Sequence, residues 1–306
     1  MLYDPDALKG TAVPLAFDTQ FFRKLERFEI FPHGVHRGGQ IGHRRSPSRG
    51  TGLEFADHKE YSPGDDIRYI DWNVYAHLEE LFVKIFEQEE ALPLYILLDT
   101  SASMSVGEGG GASKLTFGAN LTAALTYVGL SNQDYVRVSL FAEGKVASTK
   151  ILSGKTRIYE VLDRLDTQPN GTTDLTAAIE AFSTENPTAG MVFIISDFLD
   201  PNGLLTGVRL LAGRKFAVQG IHLVAPQELT PDVAGDIELE DLETGKRLRM
   251  ATRRDTMQRF HAFFEEHCAN VRGELAKYGA RYLRLSSDQS LDEVLFTRLP
   301  KEGVLR

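Results

Sequence analysis

The sequence predicts an α/β protein built on a doubly wound, mostly parallel sheet, with a small β-containing unit ahead of it. Three observations carry this reading. From residue 92 onward, continuous apolar runs alternate with helical patterns, as expected of buried parallel strands whose sheet is covered on both faces. Two of these runs, LYILLD and MVFIISD, stop on an aspartate, Asp99 and Asp197. Before residue 90 the alternation is missing, and two extended patches flank a turn instead. The expected domains are therefore residues 1–90 and 91–306.

Taken in order, Phe21, Phe22, Leu25 and Phe28 follow Asp18 at helical spacing and predict an amphipathic helix over 18–30. Residues 33–52 are Gly-rich and basic, with Arg37, Arg44, Arg45 and Arg49, and show no periodicity. They read as a loop that pairs with the protein's own acids. GLEFADHKEY and LFVKIFEQE predict strands, the second alternating about Leu81, Val83 and Ile85. YSPGDDIRYIDWN between them predicts a turn and a short irregular or helical stretch. That stretch gathers Asp65, Asp66, Arg68 and Asp71. They are candidates either for docking a partner or for locking the turn through Asp–backbone bonds and an Arg–Asp pair.

Strands are predicted at 92–99, 135–142, 190–196, 216–224 and 281–285, with helices near 113–130, 155–166, 174–184 and 203–213. KVASTKIL at 145–152 follows its predecessor after only Glu143 and Gly144, so the pair must be an antiparallel hairpin. DIELEDLETGKRLRM at 236–250 predicts another β-hairpin, an insertion over about 226–252 with Thr244-Gly245 near its turn. Met257, Phe260, Phe264, Cys268, Val271 and Leu275 mark a long helix over 254–278, which Gly279 is placed to end.

The totals exclude several functions. A net charge of −9 argues against general affinity for nucleic acid or an anionic membrane. No apolar run approaches the roughly 20 residues a membrane span requires. MLYDPDALKG lacks a cationic stretch followed by an apolar one, so no secretory signal is expected and the compartment read from sequence is the cytoplasm. The single cysteine, Cys268, leaves no internal disulfide framework and no Cys-rich metal site. GEGGGASK at 107–114 lacks the spacing of a phosphate loop, and the two histidines of HAFFEEH lie six residues apart where a zincin pair needs four.

In a doubly wound sheet the first and fourth strands are neighbours where the strand order reverses, and ligands bind at their carboxyl ends. Asp99 and Asp197 close those two strands. Asp99-x-Ser101-x-Ser103 adds hydroxyls from the turn after the first strand, and Thr173 in NGTTDL adds another ahead of a helix. Carboxylates and hydroxyls without His or Cys suit a hard cation, Mg²⁺ in the first instance and Mn²⁺ or Ca²⁺ as alternatives. Such a set leaves the ion short of negative charge, which an acidic side chain from a protein partner would supply. The competing reading is that all five residues are strand ends and helix caps on a metal-free scaffold.

DTSASM, GTTDL and ISDF, in that order, resemble the von Willebrand factor A domain and its metal-ion-dependent adhesion site. The resemblance matches Asp99, Ser101 and Ser103 to the first motif, Thr173 to the central threonine and Asp197 to the last acid. The chain departs from it at Gly171-Thr172-Thr173, where Gly-Gly-Thr is usual, and at Phe198, where many relatives have Gly. GLEFADHKEYSPGDDIRYIDWNVYAH with LFVKIFEQEEALPLYILLDTSASM is similar to the bacterial family called domain of unknown function 58. HLVAPQEL and LEDLETGKRLR extend that likeness over most of residues 35–300. Tyr75-Ala76-His77 departs from an expected Thr-Ala-Arg. The likeness implies a cytoplasmic protein that works with a MoxR-type AAA+ ATPase on the assembly or maturation of client proteins, without enzymatic activity of its own. A Mg²⁺-dependent phosphoryl hydrolase using Asp99 is the enzymatic alternative. Against it, the sequence offers no second acid beside Asp99, no lysine at a matching position and no identifiable general base.

Overall fold

A computed structural model of the chain describes residues 19–32, 45–46, 54–89, 91–107, 112–200, 203–229, 235–240, 242–243, 246–252 and 254–306. Two compact units divide the chain, one of residues 37–92 and one formed by the segments on either side of it. The first described element, α1 (Thr19–Leu25), belongs to the larger unit.

The smaller unit is a three-stranded antiparallel sheet in the order β1-β3-β2, formed by β1 (Arg45–Ser46), β2 (Glu54–Glu60) and β3 (Phe82–Glu89), with α2 (Trp72–Leu78) between β2 and β3. The predicted turn between the strands is locked by its own acids. Asp65 accepts from Ser62 N–H at 2.9 Å and Lys59 at 3.1 Å, and Asp66 caps the turn Ile67–Tyr69 and pairs with the Arg68 guanidinium at 2.7 Å. Asp71 caps α2 through Asn73 N–H at 2.9 Å and takes His58 at 2.9 Å and Lys84 at 3.2 Å. The His58 hydrogen bond, aided by Lys84 and the α2 amides, holds the Asp71 carboxyl well below the usual carboxylate range. Most of the basic 33–52 segment lies outside the described residues.

The larger unit contains the doubly wound sheet. Its strands are β4 (Pro93–Asp99), β5 (Tyr135–Ala142), β6 (Lys145–Ser148), β7 (Met191–Ser196), β8 (Ala217–Val224) and, beyond an inserted pair, β11 (Arg281–Ser286). The inserted pair is the predicted hairpin, β9 (Gly235–Glu240) and β10 (Arg247–Thr252). The sheet order is β6-β5-β4-β7-β8-β11; β6 pairs antiparallel with β5 and the other neighbours are parallel. Counting the sheet's own strands from β4, this is the 3-2-1-4-5-6 order, with the switch point between β4 and β7.

Helices cover both faces. On one side lies α3 (Lys114–Ser131), backed by α4 (Ile158–Leu165); on the other α5 (Leu175–Glu185) and α6 (Leu205–Gly213) bury Ile179, Phe182, Val208 and Leu211 against Tyr95, Leu97 and Ile194. The short α7 (Pro226–Leu229) leads into the hairpin, and α8 (Arg254–Lys277) returns from it, adding Val271 and Leu275 to the same core. Gly279 ends α8 at φ +71°, as its place in the sequence predicts. Cys268 is buried with Phe264 and Val224, a small core residue.

α3 is apolar on nearly every side, the mark of a helix enclosed by its own protein. It lies so close to the sheet that a Cβ on Gly118 would stand 2.9 Å from Leu98 Cδ1, and one on Gly129 2.6 Å from Leu94 Cδ2.

Two features differ from the sequence reading. α1 ends at Leu25, and it belongs with the sheet rather than with the small unit. Phe22 packs 4.3 Å from the Tyr127 ring of α3, and Phe21 and Phe28 lie 5.6 and 5.7 Å from Phe296. Residues 291–301 form a short helical segment that periodicity did not single out, and after it Ile30 bridges to Leu305. The partners of α1 lie between one hundred and nearly three hundred residues downstream, Tyr127 for Phe22 and Phe296 for Phe21, so no local pattern could reveal them.

Candidate functional site

The carboxyl ends of β4 and β7 lie side by side because Leu98 registers with Ile195. Asp99 and Asp197 thus reach the same rim of the sheet. The loops above them are tied together through backbone: Ala102 N–H to Gly171 C=O at 3.0 Å, Asn170 N–H to Thr100 C=O at 2.9 Å, and Glu143 N–H to Thr172 C=O at 2.7 Å. Gly171 sits at φ +70°, a left-handed conformation that glycine adopts without cost.

Asp99 is fully enclosed. Its Oδ1 accepts the Ser101 N–H at 2.9 Å and its Oδ2 the Ser196 hydroxyl at 2.6 Å. Burial, and secondly the charge of Asp197, push the Asp99 carboxyl up to about 7. The hydroxyls of Ser101 and Ser103 face each other at 3.1 Å.

Asp197 is as deeply buried but has a counter-charge. Its Oδ1 accepts the Leu199 N–H at 3.1 Å and its Oδ2 the Lys114 ammonium at 2.7 Å. Burial would raise its carboxyl; Lys114, the Ser103 hydroxyl and the Leu199 amide outweigh this and hold it below the ordinary value. Lys114, the first residue of α3, has no exposed surface and also donates to Glu228 Oε1 at 2.6 Å. The other Glu228 oxygen accepts the Ala225 N–H at 2.7 Å. Burial pulls the Lys114 ammonium toward neutrality, but the two carboxylates prevail and keep it charged.

Phe198 occupies the left-handed region at φ +53°, where a side chain is strained. Its ring is buried and meets the His222 ring edge-on at 5.6 Å. Burial lowers His222 to about 3, so it is neutral, and its Nδ1 lies 2.8 Å from the Tyr282 hydroxyl. His261, the other member of the HAFFEEH pair with His267, is exposed, while the His267 ring stacks edge-on to His222 at 5.9 Å.

Thr173 is buried, whereas its neighbour Thr172 is exposed. The Thr173 N–H and hydroxyl both donate to one oxygen of Glu243, at 3.1 and 2.8 Å. Glu243 lies in the turn of the inserted hairpin, although Thr244-Gly245 and residues 108–111 of the Gly-rich loop lie outside the described residues.

The structure therefore links Asp99, Ser101, Ser103 and Asp197 through hydrogen bonds and charge, and engages Thr173 with Glu243. Four neighbours of these residues are not singled out by the sequence: Lys114, Ser196, Glu228 and Glu243. Lys114 was visible only as the end of a failed phosphate loop. Among the described residues no cluster of three His, Cys, Asp or Glu side chains is arranged to hold a metal, so the candidate donors depend on hydroxyls.

The fold is an α/β domain on a doubly wound, mostly parallel sheet, with a small antiparallel sheet formed by the segment that precedes β4. The chain belongs to the family described as "Protein of unknown function DUF58", whose model matches residues 57–270. Uncharacterized proteins of Mycobacterium tuberculosis and Mycobacterium bovis are each 29% identical to it over 281 residues, 89% of this chain and 86% of theirs. Among solved structures, BatB from Bacteroides thetaiotaomicron aligns at a TM-score of 0.43 and 17% identity, over 70% of this chain and 99% of its own. A mussel byssus protein, proximal thread matrix protein 1 with a zinc-occupied MIDAS motif, aligns at 0.43 and 13%, over 70% and 46%. Likenesses this distant carry no functional argument. No described helix is long and apolar enough to cross a membrane.

Proposed function

We propose that this protein is a non-enzymatic binding module whose rim takes a divalent cation, Mg²⁺ first and Mn²⁺ or Ca²⁺ as alternatives, and with it an acidic side chain of a protein partner. One observation carries the reading. Asp99, Asp197 and Glu228 bring three carboxylates to a buried network that holds a single ammonium, Lys114. With all three ionised, two negative charges are left over, the charge of one divalent ion. Uncompensated charge in a low-dielectric interior is expensive, and the rise of Asp99 reflects that cost. The donors fit the ion: Ser101, Ser103 and Thr173 would supply hydroxyls and Asp99 and Asp197 carboxylates, the oxygen-only set that hard cations prefer. Lys114 and Ser196 would position the two acids. The bound ion would supply an electrophilic centre for a carboxylate.

The hydrolase alternative gains two groups from the structure, since Asp197 lies close to Asp99 and Lys114 pairs with Asp197. It still fails on chemistry. Lys114 is enclosed and held by two carboxylates, so it has no face to offer a phosphate. The buried imidazole of His222 is engaged by Tyr282.

Family membership and the sequence resemblance support a MoxR-type AAA+ ATPase as partner, client assembly or maturation as the setting, and the cytoplasm as the compartment. Calorimetric titration of Mg²⁺ and Mn²⁺ into the wild-type protein and Asp99→Ala tests the site. A saturable heat in the wild type that vanishes in the variant is expected, and equal heats overturn the reading. Affinity capture of the ATPase with and without chelator tests the partner; capture indifferent to chelator would place docking away from the rim.

A further inference from the structure

We propose that the inserted hairpin is an internal ligand of the site: Glu243 occupies the place that a partner's acidic side chain takes, so an external carboxylate must displace the hairpin to bind. The inference rests on the reading of the rim as a receptor for acidic side chains, and goes beyond it by assigning an autoinhibitory contact.

The grip on Glu243 is that of a receptor. The Thr173 N–H and hydroxyl converge on a single carboxylate oxygen at 3.1 and 2.8 Å, and two donors meeting on an ionised oxygen make a strong, directional contact. With Glu243 in place Thr173 is 2% exposed, so the carboxylate meets both donors largely out of solvent. It stands immediately before Asp174, the cap of the eleven-residue α5, where the helix's positive end favours an anion.

The acid comes from an element that the sheet does not require. β9 and β10 pair with each other, from Gly235 with Thr252 to Glu240 with Arg247, in a sheet of their own. Glu243 is carried at the turn, some seventy residues from Thr173 in sequence, on an arm that leaves the domain between β8 and α8. The base of that arm is α7, whose Glu228 is bonded to Lys114 and through it to Asp197. The insertion thus reaches the site twice, at Thr173 through the hairpin's tip and at Lys114 through α7 at its root.

A tethered competitor acts at an effective concentration near the millimolar range, so it reduces the apparent affinity of an outside carboxylate by the fraction of time the site is closed. Removing Glu243 should tighten binding of an acidic probe by about tenfold or more on that basis.

Hydrogen–deuterium exchange of the full chain tests this, comparing wild type with Glu243→Ala and Glu243→Gln, in chelator and in saturating Mn²⁺, with glutarate as the probe. A thermal melt matching wild type establishes that each variant is folded. In Glu243→Ala, exchange should rise at least fivefold at the Thr173 amide and across residues 235–252. Glutarate should restore protection at Thr173 but not in the hairpin, at concentrations about tenfold lower than those that release the wild-type hairpin. Unchanged exchange in both variants overturns the inference. So does failure of glutarate to protect Thr173 in Glu243→Ala, which would leave Glu243 a structural pin only. If Mn²⁺ binds wild type and Asp99→Ala with equal heat, the metal reading fails, and the chelator series still decides the internal-ligand proposal by itself.

Discussion

At the scale of single residues, two positions make the site testable. Asp99 holds its proton to about pH 7 in the folded chain, against about 3.9 when unfolded. A group whose folded value is raised contributes stability that is fully present below the unfolded value and is lost as pH rises through the folded one. The metal-free protein should therefore weaken between about pH 4 and 7. Asp99→Asn, which keeps an acceptor for Ser101 N–H but carries no charge, should be more stable than wild type at pH 8 in chelator, by about 1–3 kcal/mol. The gap should close toward pH 4, and denaturant melts from pH 4 to 8 measure it. A wild-type advantage at pH 8 in chelator would sink this account. Phe198 supplies the second case. Glycine there would relieve a left-handed strain of about 1–2 kcal/mol but would vacate a buried ring site worth about 3–5. Phe198→Gly should lose about 1–4 kcal/mol of stability by urea denaturation. The chain departs from the usual glycine here because packing on His222 outweighs the backbone penalty.

The same scale shows what could be read in advance. Asp99, Ser101, Ser103 and Asp197 could be grouped from the sequence because each stands at or just past the end of β4 or β7, which a doubly wound sheet brings to one rim. Lys114 and Glu243 could not. One opens a helix after an unreadable loop, and the other sits in an inserted hairpin whose orientation no local pattern encodes.

Among the elements, α3 carries the sharpest contradiction between propensity and packing. Glycine inside a helix costs about 1 kcal/mol relative to alanine, so on an exposed helix Gly118→Ala would stabilise. Here the added methyl meets Leu98 and Leu223 at 2.9 and 3.0 Å. Gly118→Ala and Gly129→Ala should each lower stability, by about 1–3 kcal/mol from overpacking less the propensity gain. A rise in melting temperature for either would show that the sheet yields more readily than these distances imply. The buried strands β4, β5, β7 and β8 match the reading to within a residue because each is a continuous apolar run whatever its partners, whereas the edge strand expected over 145–152 stops at Ser148. The seven residues of α1 and the helical segment at 291–301 were harder: α1 stops five residues early, since Phe28 and Ile30 pack on the chain's far end.

For the whole molecule, the described structure is closed by its two extremities. Glu29 and Arg306 exchange backbone hydrogen bonds at 3.0 and 2.9 Å, Phe31 N–H reaches Val304, and Leu305 is 2% exposed. Leu305→Ala should cost about 2–5 kcal/mol. Amide exchange should accelerate in α1 before it does in β4 or β7; uniform acceleration would mean the ends are not a separable closure. The change of pattern near residue 90 falls where the smaller unit, residues 37–92, gives way to the strands of the larger sheet. Assignment of the N-terminal helix was not legible in advance, because it depends on contacts across nearly the full chain length.

That closure also sets an order of events during synthesis. Phe21 leaves the ribosome long before Phe296, its ring partner. At roughly 5–20 residues per second, the intervening stretch takes about 14–55 s to make. For that interval Phe21, Phe28 and Ile30 have no finished surface to meet, even after α3 has presented Tyr127 to Phe22. A nascent chain of this protein therefore carries an adhesive N-terminal segment through most of its translation, and its yield in cells should depend on chaperone capacity more than its final stability would suggest.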